Sequence, residues 1–148
     1  MQSEERAGAA LSMFAIGLCV TFLGAGCSGG NAIKTYPVVG KVEIKDGDVA
    51  ILTGSGVELK SESDENLRPI GNIDSTGRFT VKTLYKGELL EGAPEGKYKA
   101  RIILGDPSDE GVPKRKGDPI NKRYLDFDAS KLSVTVPGGD YTMTVAKK

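Results

Sequence analysis

The chain has 148 residues, with 20 Lys or Arg against 20 Asp or Glu and neither histidine nor tryptophan. A neutral chain of this length reads as one ordinary domain with no general attraction for nucleic acid or anionic membranes. Without histidine, the usual general base, the Ser-His-Asp arrangement and a common zinc ligand are all absent, which counts against an enzyme and against a metal or other cofactor.

Met1 to Arg6 form a short polar head, and Ala7 to Gly26 carry no charge. An uncharged segment of about 20 residues could cross ~30 Å of hydrocarbon as a helix, so a retained single-span anchor is one reading. The other is a cleaved leader. The segment holds many small residues, no basic cluster follows it, and Ala25-Gly26 before Cys27 suit a peptidase groove. Leu23-Gly24-Ala25-Gly26-Cys27 resembles a bacterial lipobox, with Leu23 one place further from the cysteine than usual. That resemblance implies a signal peptide over 1–26 and lipidation at Cys27. Ser28 follows instead of the aspartate that resembles an inner-membrane retention signal, which favours the outer membrane or cell surface. Cys19 leaves with the leader, so no internal disulfide is expected. Removing Glu4, Glu5 and Arg6 leaves 19 basic and 18 acidic residues, still near neutrality. Residues 27–36, with Gly29, Gly30 and Asn31, read as a flexible tether.

From Pro37 to Lys148 the dominant period is two, the mark of half-buried strands. Val38, Gly40, Val42 and Ile44 share one face, with Lys41, Glu43 and Lys45 on the other. Asp46-Gly47 is a hairpin-type turn signal. Val49 to Leu52 is a short apolar run, and Val57 and Leu59 alternate with Glu58 and Lys60. Ile70 to Ile73 should pair across Asp74-Ser75-Thr76-Gly77 with Arg78 to Thr83, placing Phe79 and Val81 inward. Leu84 to Gly96 reads as a loop. Lys97 to Leu104 is the cleanest strand, with Tyr98, Ala100, Ile102 and Leu104 facing the core. Gly105 to Pro119 is a long excursion, and Leu132 to Val136 and Tyr141 to Val145 are the last strands. With 20 glycines and seven prolines to make tight turns, the sum is an all-β fold, a single β-sandwich of about seven strands.

Four pieces in order carry a family resemblance: Tyr36 to Val42, Gly71 to Phe79, Glu91 to Lys99, and Tyr124 through Ser130 to Val136. Together they resemble small lipoproteins of planctomycete bacteria described as carboxypeptidase regulatory-like, over nearly all of Tyr36 to Val145. The resemblance implies a transthyretin-like or immunoglobulin-like sandwich and an envelope address, with a module that is non-catalytic beside its enzyme. Transthyretin-related hydroxyisourate hydrolases look similar in fold but rely on histidines, which this chain lacks.

Two sets of side chains stand out. Lys114, Arg115, Lys116, Lys122 and Arg123 form a basic cluster suited to an anionic glycan, headgroup or protein. The bland alternative is a solvated loop balanced by Asp106, Asp109 and Glu110. Tyr85, Tyr124 and Phe127 could offer rings to a sugar, or simply close the ends of a core short of aromatics. Asp74-Ser75-Thr76-Gly77 lacks the spaced oxygens of a calcium loop and reads as a turn. The expectation is a non-enzymatic, lipid-anchored envelope protein acting as a binding or structural module, with an envelope protein or glycan as partner. The alternative is an accessory subunit docking on a separate envelope enzyme or complex. No small-molecule substrate is evident.

Overall fold

A computed structural model describes residues 33–148; the leader, Cys27 and most of the tether lie outside the described residues. The chain is an all-β sandwich. Its eleven strands are β1 (Thr35–Tyr36), β2 (Val39–Lys45), β3 (Gly56–Ser61), β4 (Ile70–Asn72), β5 (Arg78–Thr80), β6 (Lys82–Tyr85), β7 (Glu88–Glu91), β8 (Ala93–Pro94), β9 (Gly96–Ile103), β10 (Leu132–Val136) and β11 (Tyr141–Ala146). A six-stranded sheet runs β10-β9-β3-β4-β6-β7, and a three-stranded sheet runs β11-β2-β5 with β11 parallel to β2. The small pair β1-β8 lies beside them.

The alternation expected for β2 and β9 is present. Val42 and Ile44 are buried while Lys41, Glu43 and Lys45 are exposed, and Tyr98, Ala100 and Ile102 face the core. Opposite them, Val57 and Leu59 of β3, Phe79 of β5, Val134 and Val136 of β10, and Met143 and Val145 of β11 complete the core. Each such side chain contributes about 1.5–3 kcal/mol on burial. Tyr98 can be buried because its hydroxyl donates to the Pro94 carbonyl at 2.7 Å. That desolvation pushes its pKa up to about 12.

The strand count and several local expectations need correction. Leu84 to Gly96 is not a loop: β6 and β7 form a hairpin over Lys86 and Gly87, which both have positive φ, 49° and 84°. Two successive positive φ values make the turn type whose twist suits a hairpin. Asp46-Gly47 turns the chain but opens no hairpin, because Asp48 caps a 3-10 turn over Val49–Leu52 by accepting from the Ala50 amide at 2.9 Å. The run 78–83 is two strands, since β5 joins the small sheet and β6 the large one. Thr35 and Tyr36, read as tether, belong to the sandwich through β1.

The Asp74 turn is built as expected. Its carboxylate accepts from the Thr76 amide at 2.8 Å, the Thr76 hydroxyl at 2.7 Å and the Arg78 amide at 3.0 Å. These bonds, the Thr76 hydroxyl first, hold its pKa below the ordinary aspartate value. A depressed folded-state pKa contributes stability above the unfolded pKa, and acid removes that contribution as pH falls through the folded value. Asp74→Ala is therefore expected to lower the urea midpoint at pH 7. It should also shrink the further drop seen on acidification below pH about 4. An unchanged acid response would show that other carboxylates carry it.

Strand registers fix the two ends of the sandwich. Gly96 pairs with Val136, and the β6–β7 tip lies level with them, because Ile70 opposes both Glu58 and Lys82 and β6 descends from there. The described chain starts at Ile33 at this same end, since Thr35 lies opposite Pro94 and the chain before it heads toward Glu95. The opposite end carries Asp46 to Ser55, the Asp74 turn and the 105–119 excursion.

Candidate cationic cleft

At the end opposite Ile33 lies an open cleft of about 420 Å³, within the range of ligand sites. Ile44, Ile51 and Pro119 give it an apolar floor, and Arg115, Lys116, Lys147 and Lys148 give it a cationic rim, against Asp48 and Asp118. Three segments distant in sequence supply these groups: 44–51, 115–119 and 147–148. The top of β2 brings Ile44, and the 3-10 turn capped by Asp48 just after it brings Ile51. The end of the long excursion brings Arg115, Lys116 and Pro119, and the end of β11 brings Lys147, which an antiparallel bridge to Ile120 holds in place.

The long excursion is held down instead of waving free. Val112 packs against Gly54, where a Cβ would meet it at 2.6 Å. The Asp106 carboxylate accepts from the Ser108 amide at 2.9 Å and its hydroxyl at 2.7 Å, and these bonds, the amide first, keep its pKa low. Asp106 keeps its negative charge within that turn, and Arg115 also acts on it electrostatically. Arg115 reaches back so that Nη2 donates to the Gly105 carbonyl, while its Nη1 is buried and has no hydrogen-bond partner among the described residues. A buried guanidinium donor without an acceptor costs free energy, and the same side chain lines the cleft.

The structure splits the expected basic cluster. Arg115 and Lys116 line the cleft, but exposed Lys114 does not. Arg123 lies 4.6 Å over the Tyr124 ring and its Nη2 donates to the Tyr124 hydroxyl, so its charge is engaged there. Lys122 sits exposed on the adjoining 3-10 turn. Lys147 and Lys148 escaped the sequence reading, although the pair at 147–148 was a visible charge signal that only the β11–β2 pairing brings to Arg115.

The aromatic residues do not gather into a sugar platform. Tyr124 is buried, and the half-buried Phe127 is covered by the guanidinium groups of Arg101 and Arg68, 4.6 and 5.2 Å from its centre. Arg101 also pairs at 2.7 Å with Glu58, so this set braces the outer face of the large sheet. A second groove of about 510 Å³ lies between Val39, Ile70, Thr80 and Leu89. Of its charged members, Lys82 pairs with Glu91 at 2.7 Å and Asp74 is held in its turn, which leaves Arg78 as a lone cation on the lining. Among the described residues, no three His, Cys, Asp or Glu side chains gather as a metal-binding set, and no helix is long and apolar enough to cross a membrane. No family model matches the chain, and neither a curated protein nor a solved structure matches it significantly.

Proposed function

We propose that this chain is a non-enzymatic, lipid-anchored protein of the cell envelope whose sandwich presents a cationic cleft to an anionic envelope glycan or protein. One observation carries the reading: the chain enters at one end of the sandwich and the cleft opens at the other. The eight residues of β9 span the intervening height, roughly 26 Å at ~3.3 Å per residue. A domain standing on its entry end therefore holds the cleft well beyond one Debye length, ~8 Å, from headgroups. Its ligand is then something in the space beyond the membrane. The carboxylates with displaced pKa values, Asp74, Asp106 and Asp128, are all displaced downward by hydrogen bonds, which suits structural acceptors and not general acids. The carboxypeptidase regulatory-like resemblance points the same way, and its accessory-subunit alternative would use the same cleft to grip an acidic partner surface.

The intact mass of the protein extracted from its native membranes tests the anchor. The expected species starts at Cys27 and carries acyl chains. A species retaining Met1 to Gly26 unmodified would replace the lipid anchor by the uncharged leader. A cleaved, unacylated species would remove the membrane from the reading altogether.

A further inference from the structure

We infer that the β6–β7 hairpin is a second contact with the lipid surface, which together with the anchor keeps the sandwich upright and its cleft turned outward. The inference rests on the lipid-anchor reading above. Leu84 and Leu89 are 67% and 63% exposed and lie directly opposite each other in the hairpin register. These two large apolar side chains, paired on the outer face of a sheet, stay mostly in solvent although Leu89 also edges the groove beside Ile70, and Lys82 and Glu91 next to them pair with each other at the surface. The tip adds Tyr85, half-buried, with the Lys86 ammonium 5.3 Å from its ring. Leucine, tyrosine and lysine on one short projection are the residue types that settle at a bilayer boundary: the apolar atoms enter and the ammonium stays at headgroup level.

Position selects the lipid surface as occupant. The tip lies at the end of the sandwich where the described chain begins, and β1 runs beside β7. Six residue steps separate Cys27 from Ile33, a reach of at most ~20 Å. A tether that short keeps this end within ~20 Å of the bilayer. A single point of attachment leaves the tilt free, and a hairpin resting on the surface removes that freedom. Glu88 and Glu95 at this end are offset by Lys34, Lys86 and Lys97, so a zwitterionic surface tests the apolar contact without a strong charge contribution.

The test uses the full acylated protein in phosphatidylcholine vesicles. After processing, Cys27 is blocked by lipid and Cys19 is gone, so an introduced cysteine is the one free thiol. An environment-sensitive label on Leu84→Cys should be quenched by bromine-bearing lipids at least threefold more than the same label on Lys114→Cys at the far end. In Leu89→Ser the Leu84→Cys label should lose most of that difference while the circular dichroism spectrum stays the same, since both positions are exposed. Equal quenching at the two positions on an acylated protein would overturn the hairpin contact and leave the anchor standing. A label shift that grows with protein concentration without vesicles would replace the bilayer by a second copy of the chain. A protein with no acyl group on Cys27 by mass would overturn both readings together.

Discussion

Gly92→Ala is expected to destabilise the sandwich by about 3–5 kcal/mol, among the largest effects of any single methyl group in this chain. Gly92 links β7 to β8 with φ +82°, and a Cβ there would lie 1.9 Å from the Tyr36 carbonyl oxygen and 2.5 Å from its carbon. Both are backbone atoms, so no side-chain rotation relieves the overlap. The chain can only separate β1 from β8, losing the Thr35–Pro94 and Tyr36–Ala93 pairings, or shift Gly92 itself. Shifting Gly92 disturbs its carbonyl, which accepts from the buried Thr83 hydroxyl at 2.6 Å, and its amide, which donates to Val81 at 2.8 Å. Gly87 isolates the backbone part of this cost. Its φ is +84°, nearly the same, but nothing lies within 4 Å of the added methyl. Gly87→Ala should therefore cost only the left-handed penalty, about 1–2 kcal/mol. Urea midpoints of the two variants measure the difference. Equal losses would mean that Tyr36 does not cover Gly92.

The strands legible in the sequence were those with one uniformly apolar face. Val42 and Ile44 in β2, and Tyr98, Ala100 and Ile102 in β9, declare themselves because charged residues stand between them, Lys41, Glu43 and Lys45 in β2 and Lys97, Lys99 and Arg101 in β9. The β6–β7 hairpin hid because it inverts that rule. Its fully buried residue is Thr83, satisfied by the Gly92 carbonyl, while Leu84 and Leu89 point outward. Alternation was present with the opposite polarity, and Lys86-Gly87 was the turn signal that would have revealed it.

Pairing was less legible than strand formation, for a physical reason. Period two reports which face of a strand is buried and says nothing about its neighbour. The run 78–83 alternates without a break, yet it changes sheets at Val81, whose amide donates to Val38 while Lys82 faces Ile70. The parallel pairing of β11 with β2 joins the two ends of the domain and has no local signature. The cleft inherits both difficulties. Its Arg115 and Lys116 were visible as charge, but Lys147 and Lys148 arrive only through that pairing, and Arg123, eight residues from Arg115, is diverted onto Tyr124.

Reversing two charges on the rim should abolish most of the cleft's binding without touching the fold. Lys116 and Lys147 are both exposed and form no ion pair among the described residues, so Lys116→Glu with Lys147→Glu should leave the urea midpoint within about 0.5 kcal/mol of the original. Each exposed ammonium that meets an anionic oxygen contributes up to about 1 kcal/mol, and reversal turns that attraction into repulsion of similar size, so reversing two such contacts weakens binding on the order of 100-fold. Arg115→Lys asks a finer question. It keeps the charge but removes the buried Nη1 donor and the bond from Nη2 to Gly105. A loss of roughly tenfold there, beside an intact fold, would mean that the guanidinium meets the ligand by geometry and not by field alone. Two probes separate the occupants: an oligomer of a uronic acid, and a peptide of alternating glutamate and leucine that can use the floor of Ile44, Ile51 and Pro119. The glycan should bind with a steep salt dependence and little response to Ile51→Ser, because it has no apolar body to lay on that floor. The peptide should lose affinity on Ile51→Ser as well as on charge reversal. If neither binds, and charge reversal changes nothing retained from envelope extracts, the cleft is a solvated surface and the binding-module reading falls. The chain contains no histidine, so binding that changes between pH 6 and 8 would report ionisation of the ligand.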